Sequence, residues 1–173
     1  VLVSINANAE LLPGGEYATQ VIFTNADTGG IRVRDVNLAV VIPLCWGLDN
    51  CDFAWTSGGA ASWFAQTDIT FDGEDAAQSG DISHGKESWL ETTAMMPGTI
   101  DFYWAVSSED GWDYLEFDID ENAQDWITGE VGWTERSYHV EAGQTLRWRY
   151  TKDYSVDSGL DAGLQKTKRH RQR

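Results

Sequence analysis

Along this chain apolar and polar residues alternate at a period of two, in short runs bounded by turn formers, and helical spacing is almost absent. A period of two sends successive side chains to opposite faces of an extended strand, so each run reads as a strand with one face for a core. The stretches LVSIN, EYATQVIFTN and IRVRDVNLAVV are three such runs, separated by LLPGG and ADTGG. From Trp63 onward come WFAQTDITF, SWLETTAM, TIDFYWAVSS, YLEFDID, QDWITGEV, RSYHVE and QTLRWRYT. The breaks between them carry Gly, Pro, Asp and Asn, the residues that turns require. Many short strands at such spacing predict an all-β sandwich rather than a parallel sheet.

Alternation also assigns faces. Phe102, Trp104 and Val106 share one side of their strand, as do Leu115, Phe117 and Ile119, and again Leu146, Trp148 and Tyr150. These are the expected core, together with the indole of Trp89. The opposite sides carry Asp101 and Tyr103, then Glu116, Asp118 and Asp120, then Arg147, Arg149 and Thr151. Arg147 and Arg149 are expected opposite Glu116 and Asp118 as surface ion pairs.

Charge narrows the partners. The formal charge is −16, from 28 acids against 12 Lys and Arg, and five of those bases (Lys166, Lys168, Arg169, Arg171, Arg173) fall in the last eight residues. The body is therefore strongly acidic and repels phosphate backbones, which argues against nucleic acid as a partner. No apolar run approaches the roughly 20 residues of a membrane span. Cys45 and Cys51, with five residues between them, have no nearby Cys or His with metal-ligand spacing, and read as a disulfide closing a short loop. A disulfide implies an oxidising compartment, so an extracellular or cell-surface location is expected, with any targeting segment lying upstream.

Several phrases resemble a module of large secreted bacterial proteins. They are WFAQTDITFDGEDAAQSGDIS, SWLETTAMMPGTIDFYWAVSSEDGWDYLEFDID and TLRWRYTKDYSVDSGLDAG. The module is similar to concanavalin-A-like or MAM-like jelly rolls, and accompanies proteases, glycosidases or adhesins as an accessory domain. Residues 1–41, through PGGEYATQVIFTN and DVNLAV, resemble the last strands of a bacterial immunoglobulin-like repeat. The resemblance implies a partial immunoglobulin-like unit at 1–41, a disulfide-bearing linker at 42–62, a jelly-roll sandwich at 63–163 and a basic tail at 164–173. It also implies other domains of a larger secreted chain as neighbours. Such modules continue after SGLDAG with a Trp-containing strand, whereas here LQKTKRHRQR follows, which puts the terminal strand in question.

Three constellations could carry chemistry. Glu116, Asp118 and Glu121 satisfy E-x-D-x-x-E, which resembles the pattern of laminarinase-like retaining glycosidases. In that chemistry Glu116 is the nucleophile, Glu121 the general acid/base, and Asp118 tunes their protonation. Retention needs the two carboxyls about 5–5.5 Å apart. Against it, Asp120-Glu121-Asn122 reads as a hairpin turn that points Glu121 elsewhere.

Acidic loops offer a structural calcium ion, which takes about six to eight hard oxygens. Asp72, Asp75, Glu109 and Asp161 belong to the phrases the module family repeats and are the expected ligands, with Asp113 and Asp157 in the same loops. Finally, Trp112, Trp126, Trp133 and Tyr103 lie in loops or on outward faces, where aromatic rings stack on the C–H faces of sugars.

The sequence therefore predicts a non-catalytic accessory module that binds a polysaccharide or other glycan. A stalk or adhesin spacer and a compact glycosidase are the alternatives.

Overall fold

The computed structural model describes residues 12, 14–155 and 162–167. The chain divides into two compact units, Val1–Ile42 and Pro43–Arg173. In the first, the described residues form a hairpin of β1 (Gly15–Thr24) and β2 (Ile31–Val40), paired without interruption from Gly15↔Val40 to Thr24↔Ile31. Asn25 Oδ1 accepts the backbone N–H groups of Asp27 and Thr28, both at 2.9 Å, and so nucleates the connecting turn. Tyr17, Val21, Phe23, Val36 and Leu38 share one side of the hairpin by register. The strand expected at LVSIN lies outside the described residues.

The second unit is an all-β sandwich, the class the alternation predicts. One helical turn, α1 (Leu44–Gly47), precedes β3 (Thr56–Gly59), β4 (Phe64–Gln66), β5 (Ala76–Gln78), β6 (Glu87–Thr93) and β7 (Gly98–Ser107). Then follow β8 (Tyr114–Ile119), β9 (Asn122–Thr128), β10 (Glu130–Val140), β11 (Thr145–Thr151) and β12 (Ala162–Thr167). They form two five-stranded antiparallel sheets, ordered β3-β6-β11-β8-β9 and β10-β7-β12-β5-β4. Gly129, at φ 76°, lies between β9 and β10, where the chain leaves one sheet for the other.

The core lies between the sheets and contains the three rows read from alternation. Phe102, Trp104, Leu115, Phe117, Leu146, Trp148 and Tyr150 are fully buried, with Val106 and Ile119 nearly so. Phe102, Phe117 and Trp148 meet at centroid distances of 4.9, 4.8 and 5.1 Å. Each such side chain contributes roughly 1.5–3 kcal/mol by leaving water.

Three expectations need correction. Residues 42–62 are no linker: Thr56–Gly59 pairs with β6 as an edge strand, and Leu48 is fully buried in the core. At Gly58 a Cβ would come within 2.5 Å of the Trp89 ring, so the edge strand passes close over that indole. Trp89 accordingly lies on the outer face of its sheet, half-buried beneath the Arg147 guanidinium (5.2 Å from the ring centroid), and not in the core.

The residues from 164 are not wholly a solvated tail either. Leu164–Thr167 belong to β12, which lies between β7 and β5 in the middle of its sheet. Thr167 Oγ1 donates to the Leu48 carbonyl, and Lys166 is only 1% exposed.

Candidate functional site: an aromatic and acidic groove

The groove forms on the outer face of the β10-β7-β12-β5-β4 sheet. Tyr103, midway along β7, alternates outward between inward Phe102 and Trp104, with Glu135 and Lys166 as its cross-strand neighbours. Phe71, from the loop after β4, stacks on Tyr103 with centroids 3.8 Å apart and planes 16° from parallel. Trp133, at the register shift between Val131 and Thr134, meets Phe71 edge-on at 6.0 Å.

Beside these rings lies an opening of about 370 Å³ lined by Asp49, Phe71, Asp72, Glu74, Tyr103, Lys166 and Thr167. A second, of about 390 Å³, is lined by Cys45, Trp46, Asp49, Cys51, Glu74 and Asp75. Asp49 and Glu74 border both, so the two openings lie side by side and are described together as the groove.

Its far wall depends on the disulfide. Cys45 and Cys51 are bonded, as their spacing predicts, and enclose Trp46, Leu48 and Asp49 in one short loop. Leu48 is buried in the core, while Trp46 is exposed toward the opening. Asp49 has φ 53°, a left-handed conformation that Asp tolerates. Its Oδ2 lies 3.3 Å from Lys166 Nζ.

Electrostatics in the groove centre on that ammonium. Lys166 Nζ also lies 3.2 Å from Asp72 Oδ2, donates to Asp75 Oδ1, and donates to the Asp75 carbonyl at 3.0 Å. Burial disfavours its charge, but the Asp75 hydrogen bond and the Asp49 and Asp75 carboxylates outweigh this and raise its pKa. Burial likewise works against the Asp72 carboxylate, yet the Glu74 N–H and Lys166 hold its pKa below the ordinary value. Asp72 and Asp75, expected to ligate calcium, here grip the chain's own cation. The sequence placed Lys166 in a tail, which hid the pairing.

The remaining candidates disperse. Glu109 lies in a separate loop, where its carboxylate comes within 4.8 Å of those of Asp113 and Asp153. Asp113 is fully buried, and its Oδ1 accepts the Asp153 N–H at 2.8 Å. Asp161 and Asp157 lie outside the described residues. Trp112 is 61% exposed in the β7–β8 loop, and Trp126 is 58% exposed on β9. Because the chain changes sheets between them, Trp126 and Trp133 do not share a face.

The glycosidase pattern is not assembled. Glu116 faces outward in mid-strand and accepts from Arg149 Nη2 at 2.8 Å. Asp120 and Glu121, at φ 51° and 63°, form the two-residue turn of the β8–β9 hairpin. That turn begins four residues beyond Glu116, roughly 13 Å along the strand. Asp118, beside the register shift at Phe117, is buried rather than presented to solvent.

Phe71, Trp46, Asp49 and Lys166 were not picked out as site residues by sequence reasoning, and Glu74 was read only as part of an acidic loop for calcium. They come from separate loops and a strand, and no local spacing links them. The weak signal available was Phe71 beside the acidic run, an aromatic at the edge of a polar loop.

No family model matches the sequence, and no curated protein matches it. Solved structures do. The chain aligns with the secreted serine protease VesC from Vibrio cholerae over 91% of its own length and 35% of that chain, with 10% identity and a TM-score of 0.54. It thus spans about a third of that protease. The likeness is one of fold.

The K1 cleaved adhesin domain of Lys-gingipain from Porphyromonas gingivalis aligns over 87% of this chain and 95% of that one, at 11% identity and a TM-score of 0.47. A carbohydrate-binding module, CBM35 from Paenibacillus barcinonensis, aligns over 64% and 97%, at 13% identity and a TM-score of 0.34.

Proposed function

We propose that the sandwich is a non-catalytic glycan-binding accessory module of a secreted bacterial protein, related to the concanavalin-A-like or MAM-like jelly rolls. One observation carries the reading: Phe71 stacked on Tyr103, with Trp133 edge-on to Phe71, beside a groove bordered by carboxylates. The Phe71 ring is partly exposed and offers an apolar face to sugar C–H groups. Asp49, Asp72 and Glu74 supply acceptors for sugar hydroxyls, the few fixed polar groups that orient a ligand in such a site. Trp46 extends the aromatic lining past the disulfide. Catalysis does not enter, because Glu116 and Glu121 do not converge on one site.

In this reading calcium is structural and lies at Glu109, Asp113 and Asp153. One carboxylate oxygen of each lies within 4.8 Å of the others, so these three residues would supply hard oxygens of the kind such an ion takes. The ion would stiffen the β7–β8 loop, which carries Trp112. The module would act outside the cell, holding its parent protein near a polysaccharide.

The test is retention on a glycan array and on insoluble polysaccharides, with calcium and with chelator, followed by a reducing-sugar assay. Retention without sugar release is expected. Sugar release would restore the hydrolase, and no retention on any glycan would favour a spacer domain.

A further inference from the structure

We infer that the groove selects glycans bearing free amines, that is, polymers of 2-amino-2-deoxy sugars, over neutral or acidic ones; this rests on the glycan-binding reading above. Among the described residues, four carboxylates border the groove, those of Asp49, Asp72, Glu74 and Asp75, against one base, Lys166. That base is already engaged: Asp49, Asp72 and Asp75 all converge on its ammonium. The fold thus uses this site to hold one alkylammonium group, and carboxylate charge remains in excess among the described residues.

Glu74 marks where a second ammonium fits. It is exposed, borders both openings, and forms no ion pair among the described residues. Phe71, Tyr103 and Trp46 line the same groove, and the negative faces of aromatic rings attract cations within about 6 Å. A polymer of protonated amino sugars would place apolar ring faces on the aromatics and an ammonium group by Glu74. A polyuronate or sulfated glycan would bring anions to a groove whose one base among the described residues is already paired, on a chain of net charge −16.

The test compares three probes by titration calorimetry below neutral pH. They are a chito-oligosaccharide with free 2-amino groups, the same oligomer fully N-acetylated, and an oligogalacturonate. The amine form is expected to bind about tenfold tighter than the acetylated form, to weaken with added salt, and to exceed the uronate by more. Glu74→Gln, at an exposed position that leaves folding intact, should remove about fivefold of the preference for the amine.

Equal or tighter binding of the acetylated oligomer or the uronate would overturn the inference while leaving glycan binding in place. Binding of none of these probes, nor of any glycan on the array, would remove the glycan reading and the inference with it.

Discussion

The two outer faces of the sandwich are built by the same alternation and end up differently. On the β3-β6-β11-β8-β9 sheet the outward Arg147, Arg149, Glu91 and Glu116 stay partly exposed and pair with their cross-strand neighbours, while Asp118 beside them is buried. Arg147 Nε donates to Glu91 at 2.7 Å, and Arg149 Nη2 to Glu116 at 2.8 Å, in a flat, charged ladder. On the β10-β7-β12-β5-β4 sheet, α1 packs on the β4–β5 edge, and its disulfide loop and the loop carrying Phe71 reach Lys166 and Tyr103. Lys166, an outward residue there, is enclosed, and the margins of this cover form the groove. A ladder sets spacing and solubility, whereas a covered face with a gap in the cover makes a concave site.

The comparison predicts unequal costs for similar charges. Lys166→Met leaves Asp49, Asp72 and Asp75 converging without a cation, and should cost about 3 kcal/mol of unfolding free energy in a denaturant titration. The same cluster sets the pH limits. Asp72 has its pKa lowered from an ordinary 3.8, so its contribution is present above that value and is lost as pH falls through the lowered one. Lys166 has its pKa raised from 10.5, so its contribution is present below that value and is lost as pH rises through the raised one. Melting temperature should therefore be level between these limits and fall outside them, with the alkaline fall reduced in Lys166→Met.

Gln165 probes the inner side of the same strand. It is fully buried opposite Trp104, and neither its amide nitrogen nor its amide oxygen has a hydrogen-bond partner among the described residues. Gln165→Leu should stabilise the fold by about 1–2 kcal/mol, seen as a rise in the denaturation midpoint. On the open face, Arg147→Ala should cost under about 1 kcal/mol by the same titration, because solvent screens the Glu91 pair. A cost there equal to that of Lys166→Met would erase the distinction between the faces.

The same contrast explains what could be read from the sequence. The strands β7, β8 and β11 alternate over six or more residues, so their core rows, Phe102 to Tyr150, were legible. The strands β3, β4 and β5 have only three or four residues, TSGG, FAQ and AAQ, too short to show a period. β12 presents Gly163, Gln165 and Thr167 toward the core, a polar pattern that reads as tail. It is recruited by β7 and by the carboxylates around Lys166. Tyr103 and Trp133 were recognised by their positions on or beside strands. Trp46, Asp49, Phe71 and Glu74 join them only after the chain has closed over the sheet, and Trp126 is lost to the other face at the Gly129 corner.

The most direct test of the central claim, that ligand binding belongs to the covered face, is a pair of single variants titrated with whichever glycan the array identifies. Tyr103→Ala removes the platform under Phe71, and Trp126→Ala removes the most exposed indole of the open face. The account predicts at least tenfold weaker binding for Tyr103→Ala and unchanged affinity for Trp126→Ala, with both proteins folded by circular dichroism. Loss of binding in Trp126→Ala with affinity kept in Tyr103→Ala would contradict it and move the site to the ladder of charges.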